Sequence, residues 1–145
     1  MNMRILVATV AGGVTLFLLG WLVYGVLLSD FMKTNMVQYP GLMKEPMPDM
    51  VPLVLANLVL AALFAFVFDY WASIRTFMSG LIGGVVLMFL ISLYFDLSAL
   101  SFMNLMKGIT PVIVDVVAAT SIGAITGGVV GLVLGLMHKP AAQAA

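Results

Sequence analysis

The sequence predicts an all-α, polytopic membrane protein built as a four-transmembrane-helix bundle. Hydrophobic residues make up 63% of the chain and charged residues only 8%, whereas soluble domains average roughly 45–50% and 25%. The apolar residues are concentrated in four stretches, each long enough as a helix to cross the roughly 30 Å hydrocarbon core of a bilayer. We therefore treat residues 1–145 as a single membrane domain, with approximate spans 5–28, 51–69, 77–96 and 109–137 and an extramembrane loop over 29–50.

The first apolar stretch follows Arg4, as in a secretory signal peptide, but it is longer than the roughly 7–15 residues of a signal-peptide core. We interpret it as a retained first helix. Trp21 and Tyr24 lie near its end, and such amphipathic aromatic rings favour the membrane interface.

The loop 29–50 has prolines in its second half, at positions 40, 46 and 48, and these exclude one continuous helix. We expect a short interfacial helix followed by an irregular segment. The loop also contains five methionines, namely Met32, Met36, Met43, Met47 and Met50. Thioethers favour Cu(I), so copper binding is a remote alternative function, although methionine is also a flexible filler of irregular apolar surfaces.

The later helices have recognisable ends. The second begins around Pro52, which a first helical turn tolerates, and ends near Tyr70 and Trp71. The third opens with Gly80, Gly83 and Gly84. The fourth is longer than a bilayer requires, so we expect it to tilt or to project into water.

The fourth helix carries glycine at every fourth position, namely Gly123, Gly127, Gly131 and Gly135. This spacing places the glycines along one face, where they form a groove that admits a neighbouring backbone. The leading interpretation is packing within the chain against Gly83 and Gly84 or against Gly12 and Gly13. The second interpretation is that the groove packs against a second copy of the chain or a partner subunit. The third is that the groove lines a path for a solute. We expect Val130 to face lipid.

Polar side chains inside the spans are costly and by default suggest function. Asn57 is the deepest, and we expect its amide to bond to a neighbouring helix, with ligand contact as the alternative. Asp30, Asp96 and Asp115 fall on one side of the membrane, where they form either solvated rim acids, the favoured interpretation, or an acidic mouth for a cation or proton. On the other side, Asp69 and Arg75 are expected to pair across a short loop at the rim, where such a pair contributes little.

Several function classes have no support in the sequence. The six Lys and Arg residues are scattered and the formal net charge is zero, so nucleic acid is not expected as a partner. The chain has no cysteine, and no Ser, His and Asp set falls on one side of the membrane. We therefore expect no enzymatic activity and no cofactor.

The positive charges of the loops are equal in number on the two sides of the membrane, so they give little indication of the orientation. Arg4, Arg75 and Lys139 lie on the side of the termini, against Lys33, Lys44 and Lys107 on the other. The acids, which contribute little to orientation, lie mostly on the loop side. We choose a bacterial inner membrane with both termini cytoplasmic.

The segment from Gly20 through Tyr24 to Lys33, with three further spans and the Gly-rich stretch Ile122–Gly127, resembles a small bacterial four-span membrane family of unknown function. In that family a Gly-x-x-Tyr pattern closes helix one before an amphipathic segment. The resemblance implies the topology and assigns no residue roles.

Together these observations favour a non-enzymatic accessory or assembly subunit that acts through helix packing, as a homo-oligomer or within a larger membrane complex in the lipid bilayer. The alternative is a small channel or transporter for a cation, proton or small solute. An accessory subunit needs only complementary faces, which the glycine groove supplies. A transport path needs polar groups from rim to rim, and the sequence places only Asn57 near the middle.

Overall fold

The computed structural model describes residues 2–44 and 46–138. Glu45 and Lys139, which count among the loop charges, lie outside the described residues. Apart from one isolated bridge, the regular structure of the described part is helical, so the all-α prediction is confirmed. The helices are α1 (Met3–Gly20) with a π-helical continuation (Trp21–Leu27), α2 (Ser29–Asn35), α3 (Met50–Phe66) with a π-helical continuation (Val67–Trp71), α4 (Phe77–Phe102) and α5 (Ile109–Leu136).

Four of these helices are long and apolar enough to cross a membrane, as the sequence predicts. Helices suit this environment because they satisfy their backbone hydrogen bonds internally, where no water is present to do so. The short α2 and the irregular segment after it match the expectation for the loop 29–50. The third span differs, because α4 continues to Phe102 and so places Asp96 inside the helix rather than at its end.

The helices pack unevenly around α5. It contacts α4 along its length and α1 on another side, whereas α3 packs mainly against α1. Four of the largest fully buried side chains, Ile5, Phe64, Phe68 and Leu134, lie toward the end of the bundle that carries the N-terminus. At the opposite end the first seven residues of α3, Met50–Ala56, are all exposed. The bundle is therefore tighter at the terminal end than at the loop end.

The glycine groove of α5 is filled by α4, and we call this contact the α4–α5 seam. A Cβ atom built on Gly127 would lie 2.7 Å from the Cα atom of Gly84, and one built on Gly80 would lie 2.9 Å from the carbonyl carbon of Gly127. Real side chains essentially never approach backbone so closely, so glycine is required there. The interpretation of packing within the chain holds for the described residues, with Gly80 and Gly84 as the partner glycines.

Two expectations about neighbouring positions need correction. Gly83, expected in the groove, instead meets the side chains of Phe68 and Ile74. Val130 does not face lipid, because it is fully buried and its Cγ2 atom lies 2.7 Å from where a Gly12 Cβ would stand. Val130 lies on the side of α5 that faces Gly12 of α1, whereas Ile125 and Leu132 of the same helix are exposed.

Candidate functional site

The α4–α5 seam leads to a pair of carboxyl groups. The two helices run antiparallel, and their facing residues recur in steps of four. In this register Gly80 pairs with Gly131, Gly84 with Gly127 and Met88 with Gly123, and Asp96 lies opposite Asp115. The glycines bring the two backbones close together, so the register also brings the two carboxyl groups face to face.

Asp96 is the more deeply buried member of this pair. It is 4% exposed, and its Oδ2 atom is buried with no hydrogen-bond partner among the described residues. Asp115 is half-buried and its carboxyl group faces Asp96. A buried polar atom without a partner costs free energy. An arrangement that leaves one is therefore a candidate binding site as well as a packing contact.

Tyr24 adds a phenol to the carboxyl pair. Its hydroxyl group faces Asp115, and its side chain is half-buried between α1 and α5. Tyr24 lies in the π-helical continuation of α1, where the Leu28 N–H donates a 2.7 Å hydrogen bond to the Val23 carbonyl five residues back. The wider π turn changes the direction in which the following side chains project, and such turns are frequent at functional sites.

The three groups together form what we call the carboxyl site, made of Tyr24, Asp96 and Asp115. Two facing carboxylates repel each other strongly when water is largely excluded, so the pair is stable only if it retains a proton or takes up a cation. Carboxylate and hydroxyl oxygens are suitable ligands for small hard cations. The site can therefore bind either a proton or a cation that replaces it.

The other polar residues proposed from the sequence lie elsewhere. Asp30 is exposed in α2, as a solvated rim acid is expected to be. Asp96 and Asp115 depart from that expectation, because α4 continues past Asp96 and both side chains enter the seam. The sequence predicts a bond from Asn57 to a neighbouring helix, but its Nδ2 atom donates a 2.8 Å hydrogen bond to the Leu53 carbonyl of its own helix.

A second polar cluster lies at the terminal end of the bundle. The Asp69 side chain is fully buried, with Arg75 Nη2 at 2.7 Å from its Oδ1 atom and Arg4 Nη2 at 3.0 Å from its Oδ2 atom. The Asp69–Arg75 pair is thus confirmed, but it is buried rather than solvated at the rim, and Arg4 is a further member. Asp69 lies in the second π-helical turn, Val67–Trp71. Each polar cluster therefore takes one residue from a π turn.

The terminal cluster has a clear structural role. The Arg75 guanidinium donates hydrogen bonds to the carbonyls of Phe68, Asp69 and Ile74, at 3.2, 3.2 and 2.9 Å. The Phe68 and Asp69 carbonyls lie in the π turn that follows α3, and the Ile74 carbonyl lies in the turn before α4. Ser73 turns the chain with a φ of 51°, an uncommon conformation for a residue other than glycine. The cluster therefore closes α3 and starts the turn into α4.

Within residues 2–44 and 46–138, no group of three or more His, Asp and Glu side chains is placed to hold a metal ion. Comparisons with protein families, with curated proteins and with solved structures find no match to this chain. The carboxyl site must therefore be interpreted from its own geometry.

Proposed function

We propose that this chain is a multi-pass protein of a bacterial inner membrane, with both termini cytoplasmic, that binds a proton or a small cation at the carboxyl site and moves it as a small channel or transporter. The observation that carries the proposal is the buried Oδ2 atom of Asp96, which faces Asp115 and has no hydrogen-bond donor among the described residues. Ionisable groups within membrane spans are costly to keep, and they commonly mark ion and proton paths.

Buried hydroxyl groups give this proposal further support. Thr126 is fully buried and lies eleven residues after Asp115, which returns it to the same face of α5 about three turns further along. Its Oγ1 atom and that of Thr9 are buried without a hydrogen-bond partner in the described part of the chain. Hydroxyls in a helix usually bond to a carbonyl one turn back, as Thr15 bonds to Ala11. Free hydroxyls toward the bundle centre suit a path that continues from the carboxyl site.

An accessory or assembly subunit is the second candidate function. The glycine groove supports it less than the sequence suggests, because α4 occupies the groove. The observation that favours it is the exposed start of α3, Met50–Ala56, which offers an apolar face to a second copy or to a larger membrane complex. The resemblance to a four-span family around Gly20–Lys33 is compatible with either function. We expect neither enzymatic activity nor nucleic-acid binding.

Labelling with a hydrophobic carbodiimide tests the carboxyl site. The reagent adds across its C=N bond to a protonated carboxylic acid, the acid proton moves to nitrogen and rearrangement gives an N-acylurea with no leaving group. We expect mass spectrometry of the protein in detergent to locate this adduct on Asp96 or Asp115. Protection by Na⁺ or K⁺ would indicate a bound cation, and dependence on pH alone would indicate a proton.

Three variants define the specificity of the label. Asp96→Asn and Asp115→Asn should each lower labelling at the partner carboxyl group, because each removes half of the facing pair. Asp30→Asn is the matched control, since Asp30 is an exposed acid at the same end of the bundle. The proposal fails if neither Asp96 nor Asp115 is modified, or if Asp30→Asn lowers labelling as much as the other two variants.

A further inference from the structure

The end of α2 is fixed to the loop between α4 and α5 by a set of hydrogen bonds that we call the loop clasp. The Val37 N–H donates to the Leu105 carbonyl at 2.7 Å, and the Lys107 N–H donates to the Asn35 carbonyl at 2.9 Å. Two side chains add further bonds, from Lys107 Nζ to the Thr34 carbonyl and from the Tyr39 hydroxyl to the Asn104 carbonyl. These bonds hold two loops in one fixed register although they are far apart in the sequence.

The loop clasp places two methionines directly opposite each other. Met36 and Met106 form an isolated antiparallel bridge, flanked on both sides by the two backbone hydrogen bonds. A pair between such bonds is not itself hydrogen-bonded, and its side chains are the closest of any across an antiparallel pair. Both side chains are half-buried.

A third methionine lies one helical turn before the first. The Met36 N–H donates a 2.9 Å hydrogen bond to the Met32 carbonyl, so Met36, the residue that directly follows α2, lies about one helical turn after Met32. Met32 is half-buried as well. By contrast, Met43, Met47 and Met50 are exposed and take no part in the loop clasp.

We propose that Met32, Met36 and Met106 bind one Cu(I) ion through their three thioether sulfur atoms. Thioethers are neutral, soft ligands that select Cu(I) over hard divalent cations. The site differs from the five-methionine set suggested by the sequence, because its third ligand comes from the loop after α4 and the three exposed methionines are excluded. The proposal is independent of the function of the carboxyl site.

Ag(I) is a suitable probe because it shares the thioether preference of Cu(I) and does not change oxidation state in air. We expect the purified full-length protein in detergent to bind one Ag(I) per chain in equilibrium dialysis with a competing thioether ligand. Met36→Leu and Met106→Leu should each weaken this binding by at least the roughly tenfold typical of losing even an outer-shell partner. X-ray absorption of the Cu(I) form should give three sulfur neighbours.

Two comparisons separate a metal site from ordinary packing. Met43→Leu is the matched control, because Met43 is exposed in the same loop, and its Ag(I) affinity should equal that of the parent. Leucine has nearly the volume of methionine, so thermal stability without metal should be similar in all variants. The proposal is overturned if the parent binds no Ag(I) stoichiometrically, if the Met36→Leu, Met106→Leu double variant binds as tightly as the parent, or if Met43→Leu weakens binding equally.

Discussion

Asp96 of α4 faces Asp115 of α5 in the same register that pairs Gly84 with Gly127. The glycines leave no room for side chains between the helices, so the two backbones are in close contact along the glycine part of the seam. The same register places the two carboxyl groups opposite each other farther along the helices. The packing of the seam and the geometry of the carboxyl site are therefore one structural feature. A change in the seam should alter the site, whereas a change in the site need not alter the seam.

Replacement of Asp96 by leucine should stabilise the protein and remove the binding site. The Oδ2 atom of Asp96 is buried and has no hydrogen-bond donor in the part of the chain that the structure describes, and such a group costs about 1–3 kcal/mol. We expect the free energy of unfolding of Asp96→Leu, measured by denaturation in detergent, to rise by up to about this amount. The protection of the remaining carboxyl group from carbodiimide by Na⁺ or K⁺ should be lost. A fall in stability would instead indicate that the pair is a structural contact.

Tyr24→Phe should weaken the carboxyl site without weakening the fold. The substitution keeps the ring and removes only the hydroxyl group that faces Asp115. If the hydroxyl is a ligand, its loss should lower cation protection or the rate of proton flux in proteoliposomes by about tenfold, the equivalent of roughly 1.4 kcal/mol. Tyr39→Phe, which removes a hydroxyl from the loop clasp, serves as the control and should leave the flux unchanged.

Asp69→Asn should destabilise the terminal end of the bundle. Asp69 is buried between Arg4 and Arg75, and removal of one partner from a buried ion pair typically costs about 3–5 kcal/mol. Thermal unfolding should show a clear loss of stability in this variant. The exposed pair of Lys44 and Asp49 provides the comparison, since Lys44→Gln should change stability by less than about 1 kcal/mol. Equal effects of the two variants would contradict the buried role of Asp69.

The helices could be predicted from the sequence because the bilayer sets a minimum apolar length and favours helix throughout. The glycine groove could also be predicted, since a repeat of four marks one helix face. Its partner was harder to identify: Gly80, Gly83 and Gly84 are all close in sequence, and only the crossing of α4 over α5 selects Gly80 and Gly84. The same crossing buries Val130 against Gly12 on α1.

The carboxyl site could be predicted only in part. The sequence places Asp96 and Asp115 on the same side of the membrane, but it predicts a third span that ends at residue 96, which puts Asp96 at the rim, whereas α4 continues to Phe102. The excess length of the fourth span is what puts Asp115 at the rim in the sequence prediction. The sequence predicts that Tyr24 lies at the membrane interface. Its approach to Asp115 depends on a π turn that has no clear sequence signal. The sequence does not predict Met106 as a partner of Met36, because the pairing of two distant loops does not appear in local periodicity.

Orientation can be tested with single cysteines at exposed positions of the two ends. In intact cells, a membrane-impermeant maleimide should label Leu42→Cys in the first loop and should not label Ala72→Cys in the turn before α4, because we place the termini and that turn in the cytoplasm. After permeabilisation both variants should react, which controls for accessibility. Labelling of Ala72→Cys alone in intact cells would indicate the opposite orientation.

The α4–α5 seam can be tested by adding a single methyl group. Gly127→Ala places a Cβ atom 2.7 Å from the Cα atom of Gly84, so the helices must separate, and overpacking of this kind costs about 1–3 kcal/mol. Because the seam sets the spacing of the carboxyl pair, cation protection of Asp96 and Asp115 from carbodiimide should also fall. The measurements are thermal unfolding and labelling in the same detergent.

Gly20→Ala is the matched control for the seam. Gly20 is helical, with φ −61° and ψ −46°, and a Cβ built on it meets no atom of residues 2–44 and 46–138 within 4 Å. Alanine is the better helix former by about 1 kcal/mol, so this variant should be as stable as the parent or slightly more so, with unchanged labelling. If Gly127→Ala and Gly20→Ala have the same stability and the same cation protection, then close contact along the α4–α5 seam does not hold the carboxyl pair together.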